Sequence, residues 1–120
     1  MKKDLKIFFS EDSDLVELEM KQKQWRGDVL VQLGNDLYKV AFITLERLSN
    51  EYKISKENDN PYILHSMMIV YKIDKQTIIA SIVKAYERKM LPAFRKVDLA
   101  KEYKHTFPEL ADISNWVQVY

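Results

Sequence analysis

The chain has 120 residues, a length that suits one domain over 1–120, and it is 47% hydrophobic and 31% charged with two glycines and three prolines, which excludes a linker-rich or low-complexity polymer. Nineteen basic side chains against 18 acidic ones leave a formal charge of +1, so no global field draws nucleic acid, and the absence of cysteine excludes a disulfide framework and thiolate chemistry. No stretch approaches a membrane span, and Leu5 to Phe9, after Met1-Lys2-Lys3-Asp4, is too short for the apolar core of a signal peptide, so a cytoplasmic protein is the expectation.

Lys6-Ile7-Phe8-Phe9 reads as a short first strand. Ser10-Glu11-Asp12-Ser13-Asp14 gathers charge and turn formers, and a short helix is expected next, with Leu15, Leu18 and Val16 facing inward and Glu17 and Glu19 outside. Lys21-Gln22-Lys23-Gln24 is a solvated connector, and Trp25 is the first large anchor. Gly27-Asp28 is expected to open a hairpin, because Val29, Val31 and Leu33 alternate with Leu30 and Gln32. Gly34-Asn35 fits its tight turn, and the return strand, Leu37 to Ile43, puts Tyr38, Val40 and Phe42 on one face and Lys39 and Ala41 on the other.

Thr44 ends that strand as a cap for a helix through Tyr52, with Leu45, Leu48 and Tyr52 as its apolar stripe. Ser55 to Asn60 is a polar loop ending at Pro61. Tyr62 to Ile73 contains the longest apolar run, Met67 to Tyr71, and reads as the central strand, with His65 an ordinary strand residue. Asp74 then caps the longest helix, whose stripe is Ile78, Ile79, Ile82, Val83, Tyr86 and Met90, and Leu91-Pro92 marks its end. Residues 93–105 form a basic stretch in which Phe94, Val97, Ala100 and Tyr103 can share a face. Thr106-Phe107-Pro108-Glu109 has the spacing of a capping box, and Trp116 to Tyr120 is extended. The expected fold is α+β: an antiparallel sheet of about four strands with helices mainly on one face.

Candidate chemistry is sparse. The carboxylates Glu11, Asp12, Asp14, Glu17 and Glu19 lack the glycine that a calcium loop needs at its sharp turn, so they read as a helix start or a contact patch for a basic protein. His65 and His105 have no zinc-binding spacing and no accompanying nucleophile, so no metal and no catalytic residue is expected. No phosphate-cradling or nucleophile-elbow motif occurs, so neither a cofactor nor an enzyme is expected. Residues 84–104 hold seven basic against three acidic side chains, interleaved with Tyr86, Phe94 and Tyr103, with Phe107 just beyond. That pattern suits a nucleic-acid footprint, but the wet face of a long helix with its aromatics at core-compatible positions is the stronger reading.

Within residues 37–91, Tyr38-Lys39-Val40-Ala41-Phe42-Ile43-Thr44 leads into Leu45-Glu46-Arg47-Leu48, and Met68-Ile69-Val70-Tyr71 turns through Asp74 into Ile78-Ile79. This strand–helix–strand–helix layout, about half the chain, resembles the small immunity proteins of bacterial toxin systems. The resemblance implies a compact α+β protein of the toxin-producing cell's cytoplasm that binds one toxin domain and blocks it. Where the toxin is a basic nuclease, it would implicate Glu11, Asp12 and Asp14.

By elimination the residues themselves point to a binding module. The expectation is an inhibitor of the immunity type whose protein partner meets the acidic 11–19 segment (Glu11, Asp12, Asp14, Glu17) or an exposed sheet face carrying Gln32 and Lys39. The alternatives are a nucleic-acid-binding accessory protein using residues 84–104 and a structural subunit of a phage or homo-oligomer.

Overall fold

Alternating apolar residues at Leu5, Ile7 and Phe9, at Val29 and Val31, and at Tyr38, Val40 and Phe42 line one face of a sheet. The computed structural model describes residues 4–62 and 67–120. Their order is β1 (Leu5–Phe9), α1 (Asp14–Lys23), β2 (Trp25–Leu33), β3 (Asp36–Thr44), α2 (Leu45–Glu57), β4 (Met67–Val70), α3 (Lys75–Glu87), β5 (Arg95–Lys96), α4 (Leu99–Tyr103) and β6 (Val117–Gln118), with 3-10 turns at Leu91–Ala93, Pro108–Ala111 and Ile113–Asn115. The expectation for His65, and the first half of the strand expected from Tyr62, fall on residues 63–66, outside the described residues.

The class is α+β, but the sheet is mixed and six-stranded rather than antiparallel with about four strands. Its order is β4-β3-β2-β1-β6, and β5 pairs β3 at Tyr38 and Lys39. The hairpin β2–β3 is antiparallel because Gly34, at φ 60°, turns the chain in two residues. The connection from β3 to β4 contains α2, which carries the chain back along the sheet, so β4 runs parallel to β3 (Ala41 beside Met67, Thr44 beside Val70). The two additional strands, β5 and β6, are two residues long, too short to leave an alternation in the sequence.

The face lined by Ile7, Val31 and Val40 is filled by α3. Ile78 and Ile82 are fully buried there with Ala85, Ile73 and Leu91, and each large aliphatic so placed stabilises by about 1.5–3 kcal/mol. Asp74 caps α3 by accepting a 2.7 Å hydrogen bond from the Thr77 amide. The helix ends at Glu87, short of the expected Met90. Lys89 takes φ 56°, and Lys89 and Met90 donate to the carbonyls of Tyr86 and Ala85, a Schellman closure that leaves Met90 exposed.

α1 and α3 lie on this core face, and the short α4 lies on the other. The reverse face, at Phe8 and Leu30, is covered by Leu99 and Tyr103 of α4 and by Trp116, whose ring meets Tyr103 edge-on at 5.7 Å. Trp116 Nε1 donates to the Leu110 carbonyl at 2.9 Å, and the chain after it pairs with β1 as β6. Thr106 is not the expected cap: the turn starts from Phe107 with no side-chain cap. His105 is exposed beyond α4. Among the described residues no helix is long and apolar enough to cross a membrane.

Candidate protein-binding face

The most informative side chain for the candidate face is Arg26, which is 1% exposed and sits within β2. A bulge between Arg26 and Val29 puts an extra residue into β2, so both align with the core face of β3, opposite Phe42 and Val40. Gly27 and Asp28 therefore lie inside a strand rather than opening a hairpin. A Cβ at Gly27 would meet Cη2 and Cζ2 of the Trp25 ring, so a larger residue there would have to displace that ring. The guanidinium lies 3.9 Å over the Phe9 ring.

A buried guanidinium has to be met by acceptors. Arg26 Nε donates to Asp28 Oδ1 at 2.7 Å, and Nη2 donates to Asp28 Oδ2 at 3.2 Å and to the Glu11 carbonyl at 2.9 Å. Asp28 Oδ2 also accepts from the Ser10 amide and hydroxyl. Glu17 Oε1 stands 3.8 Å from Arg26 Nη1.

α1 turns Glu17 toward this knot, where its Oε1 is buried without a hydrogen bond among the described residues. Ser13 caps the helix by accepting from the Val16 amide, and Asp14 and Glu17 in its first turn complement its dipole. With Glu17 drawn to Arg26, the inner stripe is Val16, Glu17 and Met20, and Met20 packs against the main core. Leu15 and Leu18 then point outward, 65% and 53% exposed, contrary to the expectation that they face inward and Glu17 outward. One turn apart on a helix, they are surface neighbours. Exposed carboxylates surround them: Asp14 and Glu19 on the helix, and Glu11 just before it.

Asp12 is ion-paired to Lys75 at the start of α3, 2.7 Å away. Of the four acidic site residues expected from sequence, Glu11 and Asp14 are thus presented outward, Asp12 is engaged by Lys75, and Glu17 is half-buried against Arg26. Leu15 and Leu18 are the residues that sequence reasoning assigned to the wrong side. The pair Val16 and Met20, spaced i, i+4, offered the alternative phase.

The other expected surface is not open. Gln32 and Lys39 share the reverse sheet face with Leu30 and Leu37, and both are half-buried. Lys39 Nζ is 3.5 Å from Glu102 Oε1 and 4.7 Å from the centre of the Tyr103 ring, so α4 covers it. This face and α1, which packs Met20 toward the α3 side, lie on opposite sides of the sheet and are not brought together.

The basic 84–104 stretch is partly spent on internal pairs, Arg95 with Glu102 and Lys96 with Asp36, and its aromatic Tyr103 is buried. The Arg95 hydrogen bonds, with the charges of Arg95 and Lys39, hold the Glu102 carboxyl below its usual range.

Next to α1, α2 is held by polar contacts rather than burial. Arg47 Nη1 donates to the Lys23 carbonyl at 2.7 Å, its Nε pairs with Glu51 at 2.9 Å, and Gln24 Nε2 donates to Glu46. The Tyr62 hydroxyl donates to Glu51; that bond, with Arg47, lowers the Glu51 carboxyl pKa, and the same bond raises that of Tyr62. The stripe of Leu45, Leu48 and Tyr52 stays largely open, lining with Tyr62 a shallow groove of about 310 Å³. Helices α1 and α2 therefore form an outer layer without a single buried residue.

No protein-family model, curated protein or solved structure matches this chain.

Proposed function

We propose that the chain is a protein-binding module of the immunity type, which neutralises a cognate bacterial toxin by covering it with the outer face of α1. The observation that carries this reading is the exposed pair Leu15 and Leu18 inside a rim of Glu11, Asp14 and Glu19. An apolar centre with a charged rim is the anatomy of a protein interface, and two exposed leucines on a short surface helix gain nothing for the fold. The rim selects a basic partner and speeds its approach, while the leucines desolvate at the contact. The mechanism is occlusion, with no chemistry required of the inhibitor. The strand–helix–strand–helix resemblance of residues 37–91 supports the assignment to a toxin partner.

The test is capture from the native cytoplasm with tagged chain at moderate salt, followed by mass spectrometry. The expected catch is one stoichiometric protein, the C-terminal domain of a secreted toxin. Leu18→Asp should weaken that complex by about 30-fold, the scale of a single interface hot spot. Reversing Glu11, Asp14 and Glu19 to lysine should slow association by about tenfold at low salt. A complex indifferent to all four changes would sink the α1 reading. Nuclease-sensitive recovery of nucleic acid in place of a protein would transfer the function to the 84–104 stretch.

A further inference from the structure

We infer that the outer edge of β4 is a strand-addition site for an extended, apolar segment of a partner protein that carries one acidic side chain. The sheet's own edges make the contrast. β5 is two residues long and both are cations, each held in an ion pair. β6 is also two residues long, and its Gln118 amide folds back to donate to the Tyr120 carbonyl. Short, charged or self-covered edges are the usual protection against pairing with other chains.

β4 has none of these devices. Met67-Met68-Ile69-Val70 contains no charge, proline or glycine, and among the described residues it pairs only with β3. Alternate backbone amides and carbonyls along its outer side are therefore open to another strand. Ile69 is 49% exposed, and Tyr71, just past the strand, is 79% exposed.

A groove of about 430 Å³ runs between this edge and α3. Its wall on α3 is made of small side chains, Thr77, Ala80 and Ser81. The Ser81 hydroxyl donates to the Thr77 carbonyl at 2.7 Å, so it is already satisfied within the helix. An incoming strand would place alternate side chains into this groove and lay the others beside Ile69 and Tyr71.

The occupant's charge follows from Lys84. Among the described residues it is the sole charged side chain lining the groove and makes no ion pair. A carboxylate on the added strand meets it. A second copy of the chain would bring another Lys84 and, from the same lining, no carboxylate. The partner segment is therefore foreign. This inference stands apart from the α1 face and shares no residue with it.

The test selects displayed random peptides on the full chain and counter-selects on Ile69→Lys. Enriched peptides should be apolar at alternate positions with one aspartate or glutamate. They should bind the wild-type chain about tenfold more tightly than Ile69→Lys. On Lys84→Glu the preferred charged residue should switch to lysine or arginine. Lys84 is exposed, so this variant carries the test alone if Ile69→Lys does not fold. No enrichment, enrichment indifferent to Ile69 and Lys84, or a self-association seen by sedimentation and abolished at β4 would each overturn the proposal.

Discussion

Helices α3 and α1 are both capped by an acceptor side chain and both run beside the same sheet, yet they are held by opposite means. α3 buries Thr77, Ile78, Ile82 and Ala85, whereas α1 buries nothing. α3 is a product of the hydrophobic effect and would be lost with the core. α1 is placed by the Arg26 knot and by Asp12 reaching Lys75, with Met20 as its apolar contact to the core. A helix positioned by polar ties leaves its apolar residues available for something else. That is why Leu15 and Leu18 read as a partner surface and Ile78 and Ile82 do not.

The contrast breaks most sharply at Arg26. Arg26→Met should cost about 3–5 kcal/mol in urea unfolding, because Asp28 and Glu17 would lose the cation that compensates them. Removing Asp28's charge as well, with Asp28→Asn, should return part of that loss. If Arg26→Met were neutral, the knot would not be what fixes α1. Next comes Ile82→Ala, expected to cost about 2–5 kcal/mol for the transfer and the cavity. Its counterpart Leu18→Ala should shift stability by less than about 0.5 kcal/mol, and equal costs for the two would erase the distinction between the helices.

The smallest effect is pH-dependent and probes the reverse face. The Glu102 pKa is lowered in the folded state, chiefly by Arg95, so folding favours its charged form. That contribution is present above the ordinary carboxylate range and is lost as pH falls through the folded value. Glu102→Gln should therefore be less stable than the wild type at neutral pH, by under about 1 kcal/mol for so exposed a pair. The difference should close in thermal melts as pH falls through the lowered Glu102 value. A gap that persists in acid would assign the loss to packing instead.

Much of this fold was legible from residues alone. The alternation of Val29, Val31, Tyr38, Val40 and Phe42, the caps at Thr44 and Asp74 and the stripe at Ile78 and Ile82 each state a local preference that the packing reinforces. The parallel run of β4 was not read from sequence: a helix between two strands permits a crossover but does not require one. The phase of α1 was harder to read. Leu15 with Leu18 and Val16 with Met20 are rival stripes on one short helix. The choice between them is made by Arg26, brought close only once β2 has formed its bulge. The covering of Lys39 was hidden for the same reason: Glu102 and Tyr103 are remote in sequence and meet it through the sheet.

The two tryptophans fall on opposite sides of this division. Trp25 lies across Gly27 with the Arg47 guanidinium 6.0 Å from its ring, at the corner where α1 meets α2. Trp116 is buried against Tyr103 beneath the C-terminal cover. The chain thus contains two indole fluorophores in distinct surroundings, one sensing the outer helices and one sensing the packed sheet. Silencing either one leaves an optical reporter for the other, so loosening of the outer layer can be followed separately from melting of the core.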